Sequence, residues 1–176
     1  NIWEARFETY TTAMNLLSAV SRWSLADSEK IGIWGHSNGG HIALTTAILS
    51  KKAYPMALWA PVSVGFPYSV LFFMNDNSDL DRDLRQSLAE FEKDYDYKLF
   101  NPMGYLGDIK ANILLQQGSA DESVPQTWSD NLFAQLTKMK KEIKYTVYPG
   151  ADHNLAPKWS QAVNEDIVFY KNFLSP

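Results

Sequence analysis

Three side chains in this 176-residue chain could together carry out acyl transfer: Ser37, Asp121 and His153. A serine hydroxyl is a weak nucleophile at neutral pH and needs a base to take its proton. A neutral imidazole supplies that base, and a carboxylate fixes its tautomer and stabilises the imidazolium that forms. Such a set attacks a carbonyl, forms an acyl-enzyme, and hydrolyses it with water activated by the same histidine. The chemistry requires neither a metal nor an organic cofactor.

Ser37 lies in Gly35-His36-Ser37-Asn38-Gly39-Gly40. Residues 30–34 before it read as a short buried strand, and residues 41–49 after it as a buried helix. A Gly-x-Ser-x-Gly string alone is a weak signal, because small residues crowd many turns. Between a strand and a helix it describes a tight, strained turn that lifts the hydroxyl clear of the sheet. Gly35 and Gly39 are expected to be glycine because a Cβ at either would clash as strand and helix close together. The N–H of Asn38, at the helix N-terminus, would face a developing oxyanion.

The other candidates follow strands as well. Asp121 lies in Gly118-Ser119-Ala120-Asp121-Glu122-Ser123-Val124-Pro125, after the apolar run 113–117. Its plain reading is a cap for the following helix, and Glu122 is its nearest rival as the acid. His153 lies in Pro149-Gly150-Ala151-Asp152-His153-Asn154, after the alternating run 143–148; its plain reading is a solvated turn histidine. Asp152 cannot easily reach its neighbour's ring and suits a turn. His36 is expected to point away from the serine hydroxyl. His36 and Trp59, the latter at the end of the second strand, are assigned to the substrate pocket, with core packing the plain alternative for Trp59. His41 reads as a packed, hydrogen-bonded histidine.

These positions imply the elements that hold them. Phe7, Tyr10, Met14 and Leu17 share one face of a helix over 5–23. Residues 56–60 form a second buried strand stopped by Pro61, so strands one and two with the helix between them make a right-handed βαβ unit. Residues 62–100 interrupt the alternation and read as a cap or lid insertion, with a helix over 80–100. Residues 113–117 and 143–148 are the third and fourth strands. Pro125 opens a helix carrying Trp128, Leu132 and Leu136, and 159–174 forms the last helix. In an open parallel sheet, ligands bind at the carboxyl ends of the strands, where Ser37, Asp121 and His153 all stand.

Composition excludes several classes. The net charge is −4 with no basic block, which favours no nucleic acid. Cysteine is absent, which removes disulfides, thiolate metal sites and a cysteine nucleophile, and three scattered histidines leave little for a His-rich metal site. Residues 53–75 carry no charge but contain Pro55, Pro61, Gly65 and Pro67, which break any spanning helix, so no membrane partner is expected.

The three motifs, in this order, resemble the α/β-hydrolase superfamily. They look most like the prolyl-oligopeptidase-type (S9) catalytic domain and its dienelactone-hydrolase-like and acetyl-esterase relatives. There a Gly-x-x-Asp-x-x-Val-Pro loop carries the acid and a Tyr-Pro-Gly-x-x-His turn the base. The resemblance spans about residues 5–174. It implies a three-layer α/β sandwich with a mostly parallel sheet, and a serine hydrolase of carboxylic esters or peptides. S9 peptidases often carry an aromatic residue after the nucleophile; Asn38 stands here, which tilts the reading towards an esterase. The superfamily sheet usually has about eight strands, but only four are legible. The strands that precede the elbow, and the loop giving a second oxyanion donor, are missing. The chain is therefore expected to be the C-terminal part of a larger catalytic domain, its sheet completed by a preceding segment or a second chain. The alternative function is a non-catalytic binding or assembly module of the same fold, or a fragment inactive without its N-terminal half.

Overall fold

The computed structural model describes residues 2–74 and 79–174. Four strands, β1 (Ile33–His36), β2 (Met56–Trp59), β3 (Ile113–Gly118) and β4 (Ile143–Tyr148), form one wholly parallel sheet in the order β1-β2-β3-β4. The helices are α1 (Ile2–Val20), α2 (Asn38–Ser50), α3 (Tyr68–Leu71), α4 (Asp79–Asp94), α5 (Gln126–Lys138) and α6 (Trp159–Leu174). Two 3-10 turns, Tyr97–Phe100 and Pro102–Asp108, lead into β3.

The central strands β2 and β3 are buried on both faces, β1 and β4 only in part, and the alternation along each strand sorts side chains into two layers. Met56, Leu58, Ile113 and Leu115 meet Leu44, Ala47 and Ile48 of α2 and Leu132 and Leu136 of α5 in the main core. On the opposite face, Trp59 and Tyr148 pack with Ala162 of α6 and with Ala151 and Leu155. The result is the expected α/β three-layer sandwich. Truncating a wholly buried leucine such as Leu44 or Leu115 would cost about 2–5 kcal/mol.

Several boundaries differ from the sequence expectation. The first strand is 33–36 rather than 30–34, because Lys30 N–H closes a turn onto Asp27 while pairing begins where Ile33 N–H meets Pro55 O. The first helix ends at Val20 rather than Trp23; Ser21 and Arg22 donate side-chain hydrogen bonds to the Ser18 carbonyl. The helix expected over 80–100 stops at Asp94. Asp96 then accepts from Lys98 N–H at 3.0 Å and starts a separate turn that folds Phe100 back to within 5.2 Å of the Phe91 ring. That turn joins Trp3, Phe7, Phe66, Leu88 and Phe91 in an aromatic cluster that fastens residues 62–100 to α1. Asn75, Asp76, Asn77 and Ser78 of that stretch lie outside the described residues. Among the described residues no helix is long and apolar enough to cross a membrane.

Candidate active site

Ser37 occupies the turn between β1 and α2 with φ 56° and ψ −123°, a left-handed backbone that a residue with a Cβ adopts only under strain. Hydrogen bonds hold it there. Its N–H donates to Trp59 O at 2.9 Å, and its carbonyl accepts from Gly40 N–H and Val62 N–H, both at 3.0 Å. A Cβ on Gly35 would lie 2.4 Å from Gly39 O, so this turn admits only glycine at 35. The second glycine expected to be crowded was Gly39. A Cβ there meets nothing within 4 Å, whereas one on Gly40 would stand 2.6 Å from the Pro61 Cβ. The close approach therefore falls one residue later than expected, where α2 crosses the end of β2. Asn38 opens α2, so its N–H belongs to the first turn, whose amides lack helical acceptors.

Asp121 and His153 meet. His153 Nδ1 lies 2.9 Å from Asp121 Oδ2, and the Asp121 side chain is fully buried while His153 keeps 20% of its surface. The other Asp121 oxygen accepts from the N–H groups of Ser123 and Val124, both at 2.8 Å. The carboxylate thus ties down its own loop with one oxygen and holds the imidazole with the other; it does not cap the following helix, which begins after Pro125 with no side-chain cap. Because the carboxylate accepts, Nδ1 carries a proton, and in the neutral ring Nε2 is the nitrogen left to accept one. Asp152 accepts from the N–H groups of Asn154 and Ala156, both at 2.9 Å, which shapes the turn. Gly118 lets the two loops touch: a Cβ there would lie 2.3 Å from Ala151 O.

His36 comes to His153 rather than to the serine hydroxyl. Its Nε2–H donates to the His153 carbonyl at 3.0 Å. His36 and Trp59 share a cavity of about 250 Å³ with Trp34, Asn154, Trp159, Val163 and Asp166, on the α6 side of the sheet. Trp59 is buried, and its Nε1–H donates to Asp166 at 2.9 Å. Burial pushes the Asp166 carboxyl up to about 6, against the hydrogen bonds that favour its charge. His41 is buried between Val62 O, at 2.8 Å from Nδ1, and Tyr10 OH, at 2.9 Å from Nε2; burial lowers it to about 4.

Two features were missed from sequence. Val62, which holds the Ser37 carbonyl, packs with Val124 and Trp128. Tyr68 and Phe72 close on the Trp128 ring at 6.1 and 4.7 Å, making an apolar, aromatic wall beside both Ser37 and Asp121. The second is Gln117, wholly buried at the end of β3 against Asp121. The signal was legible: Gln116-Gln117 at the end of a fully buried apolar strand requires partners for two amides.

Residues 7–174 match the model of the prolyl oligopeptidase family. The chain belongs to that family. It is 25% identical over 142 residues to an uncharacterized peptidase, YuxL, of Bacillus subtilis, a match spanning 78% of this chain and 20% of the relative. It is similar to a puromycin-hydrolyzing peptidase of Mycobacterium tuberculosis, with a TM-score of 0.77, 20% identity, and cover of 95% of this chain and 25% of the other. It is also similar to dipeptidyl peptidase 4 of Porphyromonas gingivalis, with a TM-score of 0.72, 18% identity, and cover of 93% and 22%. The chain thus spans between a fifth and a quarter of the length of these prolyl oligopeptidase relatives.

Proposed function

We propose that this chain carries the catalytic centre of a serine hydrolase acting on peptide or carboxylic-ester bonds. Ser37 attacks the carbonyl, His153 Nε2 takes its proton and returns it to the leaving group, and Asp121 orients the imidazole. Asn38 N–H receives the oxyanion of the tetrahedral intermediate. The observation that carries this reading is the 2.9 Å contact from His153 Nδ1 to the fully buried Asp121 carboxylate, at the strand ends that also present the strained Ser37 turn. Family membership supports it. Relatives named as peptidases favour a peptide as the natural substrate, with esters as the simpler assay.

The wall of Val62, Val124, Trp128, Tyr68 and Phe72 suits an apolar or aromatic side chain next to the scissile bond. Residues 62–100 supply three of those five and act as a cap that sets specificity. Beyond β1, whose Trp34 is 52% exposed, an apolar groove of about 330 Å³ runs past Leu17, Ile33 and Ile42. An open apolar strand edge invites pairing, and a preceding segment or a second chain completes the sheet there.

Intact mass after incubation with a fluorophosphonate tests the centre. One adduct on the parent chain and none on Ser37→Ala is the expected result. A folded parent that takes up no adduct, both alone and with the segment that completes the sheet supplied, overturns the catalytic reading and leaves a binding or assembly module. Turnover of a matched ester and anilide with apolar acyl groups then separates esterase from peptidase.

A further inference from the structure

We infer that Gln117 is a positioning residue for the acid, its side-chain amide holding Asp121 in line with His153 and Ser129 holding that amide. The inference rests on the proposed roles of Ser37, Asp121 and His153.

The amide has one orientation open to it. Its nitrogen faces three groups that can only accept: Asp121 Oδ2 at 2.9 Å, Gly118 O at 3.3 Å and Val124 O at 3.3 Å. Turning it over would set its oxygen against all three. The remaining oxygen accepts from Ser129 Oγ–H at 2.8 Å, and both Gln117 and Ser129 are completely buried. Gln117 is on β3 and Ser129 on α5, so the link joins the sheet and a packed helix to the acid. A merely space-filling residue would leave two buried amide ends unpaired, whereas here each has a partner and one partner is the acid itself.

Consequently Asp121 Oδ2 receives two N–H groups, from His153 and from Gln117. Its other oxygen receives the Ser123 and Val124 amides. All four bonds fix the carboxylate plane, and only the Gln117 bond shares the oxygen that His153 uses. Removing it frees the carboxylate to rotate about its last torsion, which costs alignment. It also leaves more negative charge on Oδ2, which holds the imidazolium more tightly and raises the proton affinity of His153. Among the described residues, the titratable groups in contact with the His153 ring are Asp121 and His36.

The test measures kcat and KM for 4-nitrophenyl acetate, and the rate of phosphonylation by a fluorophosphonate, across pH 5 to 9. The full chain is compared with Gln117→Met, Ser129→Ala and Asp121→Asn. Gln117→Met should lower kcat about 10- to 100-fold with KM unchanged, and move the acid limb of the profile up by about half a pH unit. Ser129→Ala should shift both in the same direction by less. A kcat and an acid limb equal to the parent's in Gln117→Met overturn the inference, as does a loss of rate with an unmoved limb. If Gln117→Met does not fold, Ser129→Ala decides by the same two readouts. Asp121→Asn separates this failure from that of the parent reading. A variant as fast as the parent would remove Asp121 from the chemistry altogether, while a slow Asp121→Asn beside an unchanged Gln117→Met would discard Gln117 alone.

Discussion

The His36 ring sits 4.6 Å from the His153 ring, tilted by 40°, and its Nε2–H donates to the His153 carbonyl. The residue before Ser37 thereby anchors the turn that carries His153. Since a carbonyl only accepts, His36 holds its proton on Nε2. The end of β1 and the turn after β4 are distant in sequence, yet this bond sets the position of one against the other.

Replacing His36 should slow the reaction without unfolding the chain. His36→Leu removes a bond worth about 1 kcal/mol, so the rate of Ser37 phosphonylation should fall about fivefold. His36→Gln can place an amide N–H where Nε2 stood and should recover most of that rate. Stopped phosphonylation followed by intact mass measures both. A His36→Leu variant as fast as the parent would show that the turn holds its geometry without this anchor.

What the sequence made legible, and what it hid, follows from the range of the forces involved. The four strands and the parallel pairing of the first two were readable because each strand is a short apolar or alternating run bounded by turn residues and a helix lies between the first pair, whereas the places of β3 and β4 in the order β1-β2-β3-β4 came from the structure. The placement of Ser37, Asp121 and His153 just beyond strand ends was readable because each follows a strand-like run closed by turn residues. The contact between His36 and His153, 117 positions apart, was not readable, since no local pattern encodes which loop meets which. Nor was the stop of α4 at Asp94. Its helical pattern continues towards Phe100, but the Asp96 side chain competes for backbone N–H groups and the aromatic cluster rewards turning Phe100 inward. The glycine at 39 was judged by the motif alone, whereas the crowding depends on where Pro61 falls.

Those glycines give a sharp contrast. Gly39 and Gly40 are neighbours in the first turn of α2, yet an added Cβ meets nothing at 39 and the Pro61 Cβ at 2.6 Å at 40. Gly39→Ala should raise stability by about 0.5–1 kcal/mol, through helix propensity and a less disordered unfolded chain. Gly40→Ala should lower it by about 1–3 kcal/mol, because backbone at Pro61 must move. Urea unfolding of the two variants checks the pair. A loss of stability in Gly39→Ala would mean that the groove over β1 and α2 is occupied in the folded protein.

Two buried groups should make stability depend on pH in opposite directions. Burial holds His41 neutral, its pKa lowered to about 4, between an acceptor at Val62 O and the Tyr10 hydroxyl. Its contribution is complete above its unfolded value near pH ~6.5 and is lost as the pH falls towards about 4. Burial raises Asp166 to about 6, against the hydrogen bonds from Trp59, Trp34 and Gln116. Its contribution is complete below its unfolded value near pH ~3.9 and is lost as the pH rises through about 6. Between pH ~4 and ~6 the two slopes therefore oppose each other in the parent chain. His41→Gln keeps a donor for Val62 and an acceptor for Tyr10 without titrating; its stability should fall as the pH rises across that window. Asp166→Asn should do the reverse, losing stability as the pH drops from ~6.5. Glu165, held below its ordinary range by Lys144, Tyr148 and Thr146 despite the upward push of burial, acts alike in all three proteins. Urea midpoints at four pH values between 4 and 7 measure the slopes. Parallel profiles for the parent and both variants would show that neither group carries the linkage, and that the acid response of the fold arises at its surface carboxylates instead.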